Sequence, residues 1–210
     1  MKRFERELIR GWLHEPKQAT GDGIVLTHGA GGDCESPLLK ALAGAFAEAG
    51  YVGLRCDLPY RQQRPHGPPF PAQAAKDREG LKRAVEALAE LAPRRVFLGG
   101  HSYGGRQSTL LAAEHPGLAS ALLLLSYPLH PPRKREQLRT AHFPNLRTPA
   151  LFVHGTRDPF GSIQEMRDAL RPIPVQTGLV EVDGAGHALS LSAVPVILRE
   201  TTCFVNALSG

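Results

Sequence analysis

Gly100-His101-Ser102-Tyr103-Gly104 places one serine between two glycines, with apolar Val96-Phe97-Leu98 before it and a helical pattern after it. A G-x-S-x-G stretch at such a junction suits a tight strand-to-helix turn. The flanking glycines remove side chains that would strike the neighbouring backbone. The turn lifts the hydroxyl off the strand and aims helix N–H groups at the same point. A serine so placed can act as a nucleophile, and it then needs a base. Of the nine histidines, His187 has the best setting. It follows Asp183-Gly184-Ala185-Gly186, just past an apolar run, where glycines allow close backbone approach. His14, His115 and His142 have poorer settings, and His101, beside the serine, must point elsewhere. An imidazole base needs a carboxylate to fix its tautomer and stabilise the imidazolium. Asp158, in His154-Gly155-Thr156-Arg157-Asp158-Pro159-Phe160-Gly161, is the first choice; Asp183 and then Asp57 are the rivals. The order Ser, Asp, His is one of the known chain orders for this set. A tetrahedral intermediate also needs donors for its oxyanion. The Tyr103 backbone N–H is one. The glycine-rich His28-Gly29-Ala30-Gly31-Gly32 supplies the other, with Ala30 first and Gly31 second.

These residues fall where a series of alternating strands and helices would position them. The expected elements are an extended segment over Phe4–Leu13, a buried strand over Gly23–His28, and a helix opened by Ser36-Pro37 and closed by Gly50. A strand over Tyr51–Leu58 leads into a long Pro- and Arg-rich loop, Pro59–Pro71, of the sort that is often functional. A helix over 72–91, a strand over Arg95–Gly99, a helix over Gly105–His115 and a strand over Ala121–Leu125 come next. Residues 129–148 hold at most a short helix. The series ends with a strand over Pro149–His154, a helix over Ile163–Leu170, a strand over Leu179–Val182 and a helix over Ala193–Leu208. Such alternation implies an α/β fold, a mostly parallel open sheet with helices on both faces, and ligands bind at the carboxyl edge of such sheets. No linker divides the chain, so residues 1–210 are expected to form a single domain.

The bulk composition agrees with a globular protein: 210 residues, 42% hydrophobic and 21% charged, with 22 glycines and 18 prolines. No apolar run is long enough to span a bilayer, and MKRFERELIRGW lacks the apolar stretch of a secretory leader. Cys34, Cys56 and Cys203 are odd in number and lack metal-type spacing, which fits a reducing, cytoplasmic setting. The net charge is +5. Its densest run, Arg133-Lys134-Arg135 with Arg139 beyond, is broken by Glu136 and carries no interleaved aromatics, so it reads as a solvated surface helix rather than a nucleic-acid site.

Together HGAGG, GHSYG, HGTRD and GAGH resemble the α/β-hydrolase superfamily across nearly the whole chain. More narrowly, GGHSYGGR, LLLLSYPLHPP and HGTRDPFG look like a small-hydrolase group related to dienelactone hydrolases, with eukaryotic relatives of the testis-expressed protein 30 type and a hydrolase-like subunit of a histone-acetyltransferase complex. Dienelactone hydrolases proper use a cysteine nucleophile where this chain has Ser102. Lids in the superfamily are inserted after the strand that here is Ala121–Leu125. Only about twenty residues are available there, which implies a minimal lid or none. The assembled residues point to a serine hydrolase for an ester or thioester of a small acyl group, working without metal or organic cofactor, on a small molecule rather than at a membrane. The alternatives are an interaction module that kept the fold, or an acyltransferase, lyase or perhydrolase using the same residues. Tyr60, His66, Phe70, Tyr127 and Phe160 lie at or near strand ends and are candidates to line the substrate pocket, each equally able to be a packing residue. Arg61 and Arg64 read as solvated loop residues, with an anionic substrate as the weaker alternative. Oligomeric state is not legible.

Overall fold

The computed structural model describes residues 1–131 and 133–208. Eight strands form one sheet: β1 (Lys2–Arg6), β2 (Ile9–His14), β3 (Asp22–Thr27), β4 (Val52–Asp57), β5 (Arg95–His101), β6 (Ala121–Leu125), β7 (Ala150–Gly155) and β8 (Thr177–Val182). Their spatial order is β1-β2-β4-β3-β5-β6-β7-β8. The pairs β1–β2 and β2–β4 are antiparallel, and all others are parallel.

The central strands read as continuous apolar runs because both of their faces are covered. Ile24 and Leu26 of β3, with Leu123 and Leu125 of β6, join the core under α1 (Pro37–Glu48) and α6 (Val194–Ala207). Val25, Leu122 and Leu124 point the other way, into the core under α3 (Ala74–Ala89), α4 (Tyr103–Glu114) and α5 (Ile163–Leu170). Helix α1 begins where its signals put it: the Ser36 side chain caps the Leu39 N–H, and Pro37 opens the first turn. Between α1 and α3 lies the short α2 (Pro59–Gln63).

From β3 the chain leaves to one side of the sheet, and from β5 to the other. The crevice between their carboxyl ends is the switch point at which such sheets bind ligands. Over it lies no helical lid: residues 126–149 contain, where described, only a single 3₁₀ turn, Phe143–Asn145. Among the described residues no helix is long and apolar enough to cross a membrane.

Three expectations are corrected. The N-terminal extended segment is a hairpin, with Glu7-Leu8 as its turn and Leu8 at φ 60°. Neither residue is a usual left-handed turn former, so no turn signal marks it. Arg133–Arg135 lie in exposed turns rather than a surface helix. Finally, Pro59–Pro71 is partly helical, since α2 occupies its first residues.

Candidate active site

Ser102 sits between β5 and α4 at φ 51°, ψ −113°. A non-glycine residue rarely holds such a conformation, which costs on the order of 1–3 kcal/mol. The surrounding packing enforces it. A Cβ at Gly100 would lie 2.4 Å from Gly104 C, and one at Gly104 would lie 2.6 Å from the His28 carbonyl oxygen. Only glycine fits either place. The Ser102 N–H donates to Leu125 O at 2.8 Å, tying the turn to β6.

The serine hydroxyl points at His187. Ser102 Oγ lies 2.8 Å from His187 Nε2, and His187 Nδ1 lies 2.9 and 3.1 Å from the two oxygens of Asp158. With Nδ1 protonated toward the carboxylate, Nε2 is free to accept the serine proton. Asp158 also accepts the Phe160 N–H at 2.9 Å, and its side chain is fully buried. The loops after β7 and β8 are locked together: Arg157 N–H donates to Ala185 O at 2.9 Å and Thr156 N–H to Val182 O at 3.1 Å. Neither rival carboxylate reaches the imidazole. Asp183 is exposed and accepts from the Thr156 hydroxyl. Asp57 is engaged by Arg10 and the Cys34 N–H.

The loop after β3 faces the serine from the other side. Gly29 O accepts from His28 Nδ1, the Gly32 N–H and Tyr60 Oη, while Ala30 O accepts from Tyr60 Oη and Arg61. In a trans peptide the N–H opposes the C=O. The N–H groups of Ala30 and Gly31 are therefore turned away from Tyr60. Tyr103 opens α4, so its N–H has no intrahelical acceptor. Its hydroxyl donates to Asp77 at 2.8 Å, and Asp77 also accepts the Tyr60 N–H. Burial pushes the Asp77 carboxyl above its ordinary range.

Two cavities meet at Ser102. One, of about 640 Å³, is lined by the loop after β3, Leu38, Leu39, His187 and Leu189–Leu191. The other, of about 550 Å³, lies over Phe70, Tyr103, Arg106, Gln107 and Arg139. Ala30, Ser102 and Phe160 border both.

The fold that carries these residues is shared with known proteins. The sequence matches the "Alpha/beta hydrolase domain" family over residues 20–194. The chain belongs to that family. Among solved structures, this α/β-hydrolase is similar to a serine hydrolase homologue from Coxiella burnetii (17% identity, 95% of each chain, TM-score 0.74). It is also similar to a dienelactone hydrolase from Anabaena variabilis (22% identity, 97% of this chain and 96% of that one, TM-score 0.75). A third similar structure is a serine hydrolase without lid from Xanthomonas campestris (17% identity, 95% and 93%, TM-score 0.70).

Of the five candidate lining residues, the α/β-hydrolase brings two to the cavities. Phe160 stacks over His187 with centroids 4.1 Å apart, and Phe70 lines the second cavity. Tyr60 is buried and braces the loop after β3 instead. Tyr127 is also buried; it packs on Phe143 and Phe152 and donates to Arg139 O. His66 is exposed and borders neither cavity. Arg61 is not solvated. It is 3% exposed and donates to four carbonyls, those of Ala30, Gly32, Arg64 and Gly67. Arg64 donates to Pro68 O and lies over the Phe70 ring.

One supporting residue escaped the sequence reading. His101 turns away from the serine, as expected, and its Nε2 donates to His187 O at 3.0 Å. Burial holds its pKa below the usual histidine range. Its position beside the serine, at the last residue of β5, was the available signal.

Proposed function

We propose that this α/β-hydrolase is a serine hydrolase that cleaves an ester or thioester of a small acyl group. The observation that carries this reading is the unbroken relay from Asp158 through His187 to the hydroxyl of a strained, half-buried serine at the mouth of two cavities. Ser102 Oγ attacks the substrate carbonyl while His187 Nε2 takes its proton. The oxyanion is received by the N–H groups of Tyr103 and Ala30, with Gly31 as the alternative to Ala30. As the intermediate collapses, His187 returns the proton to the leaving oxygen or sulfur. An acyl-enzyme remains on Ser102. Water, deprotonated by His187, releases the acid and restores the serine. With GGHSYGGR and HGTRDPFG, we place the chain among the dienelactone-hydrolase-like small hydrolases, serine replacing cysteine.

The direct test is a fluorophosphonate probe. Stoichiometric modification of Ser102 is expected by intact mass and peptide mapping, with none in Ser102→Ala. An unchanged mass after prolonged exposure to several probes would overturn the reading.

Substrate size gives a second expected outcome. Without a helical lid, long acyl chains find little apolar wall beyond the two cavities. Acetyl and butyryl 4-nitrophenyl esters should be cleaved with higher kcat/KM than the palmitoyl ester, with no rate jump at an interface. A preference for the C16 chain in the same assay would contradict the open-site reading.

A further inference from the structure

The two cavities are chemically unlike. His187 borders the first and not the second. Because His187 must protonate the leaving group, the leaving group belongs in the first cavity, among Leu38, Leu39, Leu189 and Leu191. The acyl group then extends into the second.

That second cavity is rich in hydrogen-bond donors without acceptors. Arg106 Nε is buried with no partner, and so is Gln107 Nε2. Arg106 and Arg139 form no ion pair and no side-chain hydrogen bond among the described residues; every salt bridge goes elsewhere. Arg78, on the same wall, is neutralised by Glu114 and bonded to Gln107 Oε1. Arg139 is half-buried, and burial together with the charge of Arg106 holds its pKa below the usual arginine range. Two half-buried cations share one cavity with no carboxylate between them. Buried donors are normally satisfied, and a guanidinium pair is matched by a planar oxyanion. Arg106 lies one turn into α4 from Ser102, about 6 Å along the axis, and helical side chains lean toward the N-terminus, here toward the serine.

We propose that the acyl group of the substrate carries a terminal carboxylate, held by Arg106 and Arg139 in the cavity on the far side of Ser102 from His187. The inference rests on the hydrolase reading. The substrate is thus a monoester or monothioester of a short dicarboxylic acid. Water cleaves its acyl–oxygen or acyl–sulfur bond, giving the free dicarboxylate and the alcohol or thiol.

The test compares mono-4-nitrophenyl adipate with the same ester methyl-capped at its far carboxyl. The wild-type protein should favour the free carboxylate by tenfold or more in kcat/KM. In Arg106→Leu and in Arg139→Leu this ratio should fall, and in the double variant it should approach one. The ratio is read within one preparation, so any loss of folded protein cancels. A wild-type ratio near one, or a ratio undiminished in the variants, overturns the proposal. If neither ester is turned over and fluorophosphonate leaves Ser102 untouched, it is the hydrolase reading that has failed. Calorimetric titration with adipate then decides the anion subsite separately. Saturable binding to wild type that is lost in the double variant sustains it, and no binding removes it.

Discussion

Asp158→Asn should lower kcat by about 10⁴-fold, the size seen when a Ser-His-Asp set loses its carboxylate charge, while leaving the fold and the fluorophosphonate-accessible pocket in place. The direction follows from one hydrogen bond. The Phe160 N–H donates to Asp158 Oδ1, so the amide oxygen of an asparagine must occupy that place. The NH₂ group then faces His187 Nδ1, which can only accept. Nε2 becomes protonated and can no longer take the serine proton. Asp183→Asn is the contrast. Asp183 accepts a 3.3 Å bond from Thr156 and holds a loop. Such a bond contributes roughly 0.5–1.5 kcal/mol, about tenfold at most if felt wholly in the transition state. Steady-state kinetics with a butyryl ester, with thermal melts as a check on folding, separates the two. A crippled Asp183→Asn beside a near-normal Asp158→Asn would mean that the acid has been misassigned.

The second large effect comes from Gly155→Ala. An added Cβ would lie 2.3 Å from Ala185 O and 2.6 Å from Gly186 O, both backbone atoms of the loop that carries His187. No rotamer relieves that clash, so the loop must move by about an ångström. A misplacement of that size costs about 10²-fold in rate. Overpacking of this kind costs about 1–3 kcal/mol, which lowers Tm by several degrees. Gly44→Ala serves as control. It lies within α1, where an added Cβ meets nothing within 4 Å, so activity should hold and stability should rise by about 0.5–1 kcal/mol. Equal behaviour of the two variants would show that the close approach at Gly155 does not position His187.

The legible parts of the molecule were those with local signals. Apolar runs bounded by glycines located the central strands, and Ser36-Pro37 opened α1 within a residue of its observed start. The residues brought together around Ser102 each lay just past an apolar run, which is why their meeting at one sheet edge was foreseeable. The walls were less so. Tyr60 and Tyr127 lie near strand ends, but whether an aromatic ring faces a cavity or the core depends on contacts distant in sequence. Tyr60 is drawn inward by the carbonyls of Gly29 and Ala30, and Tyr127 by Phe143 and Phe152. Arginines were misread for a related reason. Arg61 and Arg139 occur in segments that look solvated, yet one satisfies four loop carbonyls and the other faces a cavity. Burial of a charge is set by tertiary acceptors, and sequence spacing does not show where those lie.

The seams between glycine and backbone around the serine bear on how this scaffold can change. The Ser102 turn and the His187 loop meet their neighbours through main chain: Gly100 on Gly104, Gly104 on the carbonyl of His28, Gly155 on the carbonyls of Ala185 and Gly186. None of these contacts depends on which side chains form the cavity walls. Part of those walls comes from the loop after β3 and from Tyr103, Arg106 and Gln107 of α4, and the rest from separate stretches: Pro68–Pro71, Arg139, and Leu189–Leu191. Outside α4 and the loop after β3, selectivity and reactivity are thus carried by separable pieces of chain. Exchanging the wall segments for those of a relative should retune which esters are accepted while the proton relay stays aligned. Side-chain libraries aimed at new specificities belong in those segments, and the glycine seams should be left fixed.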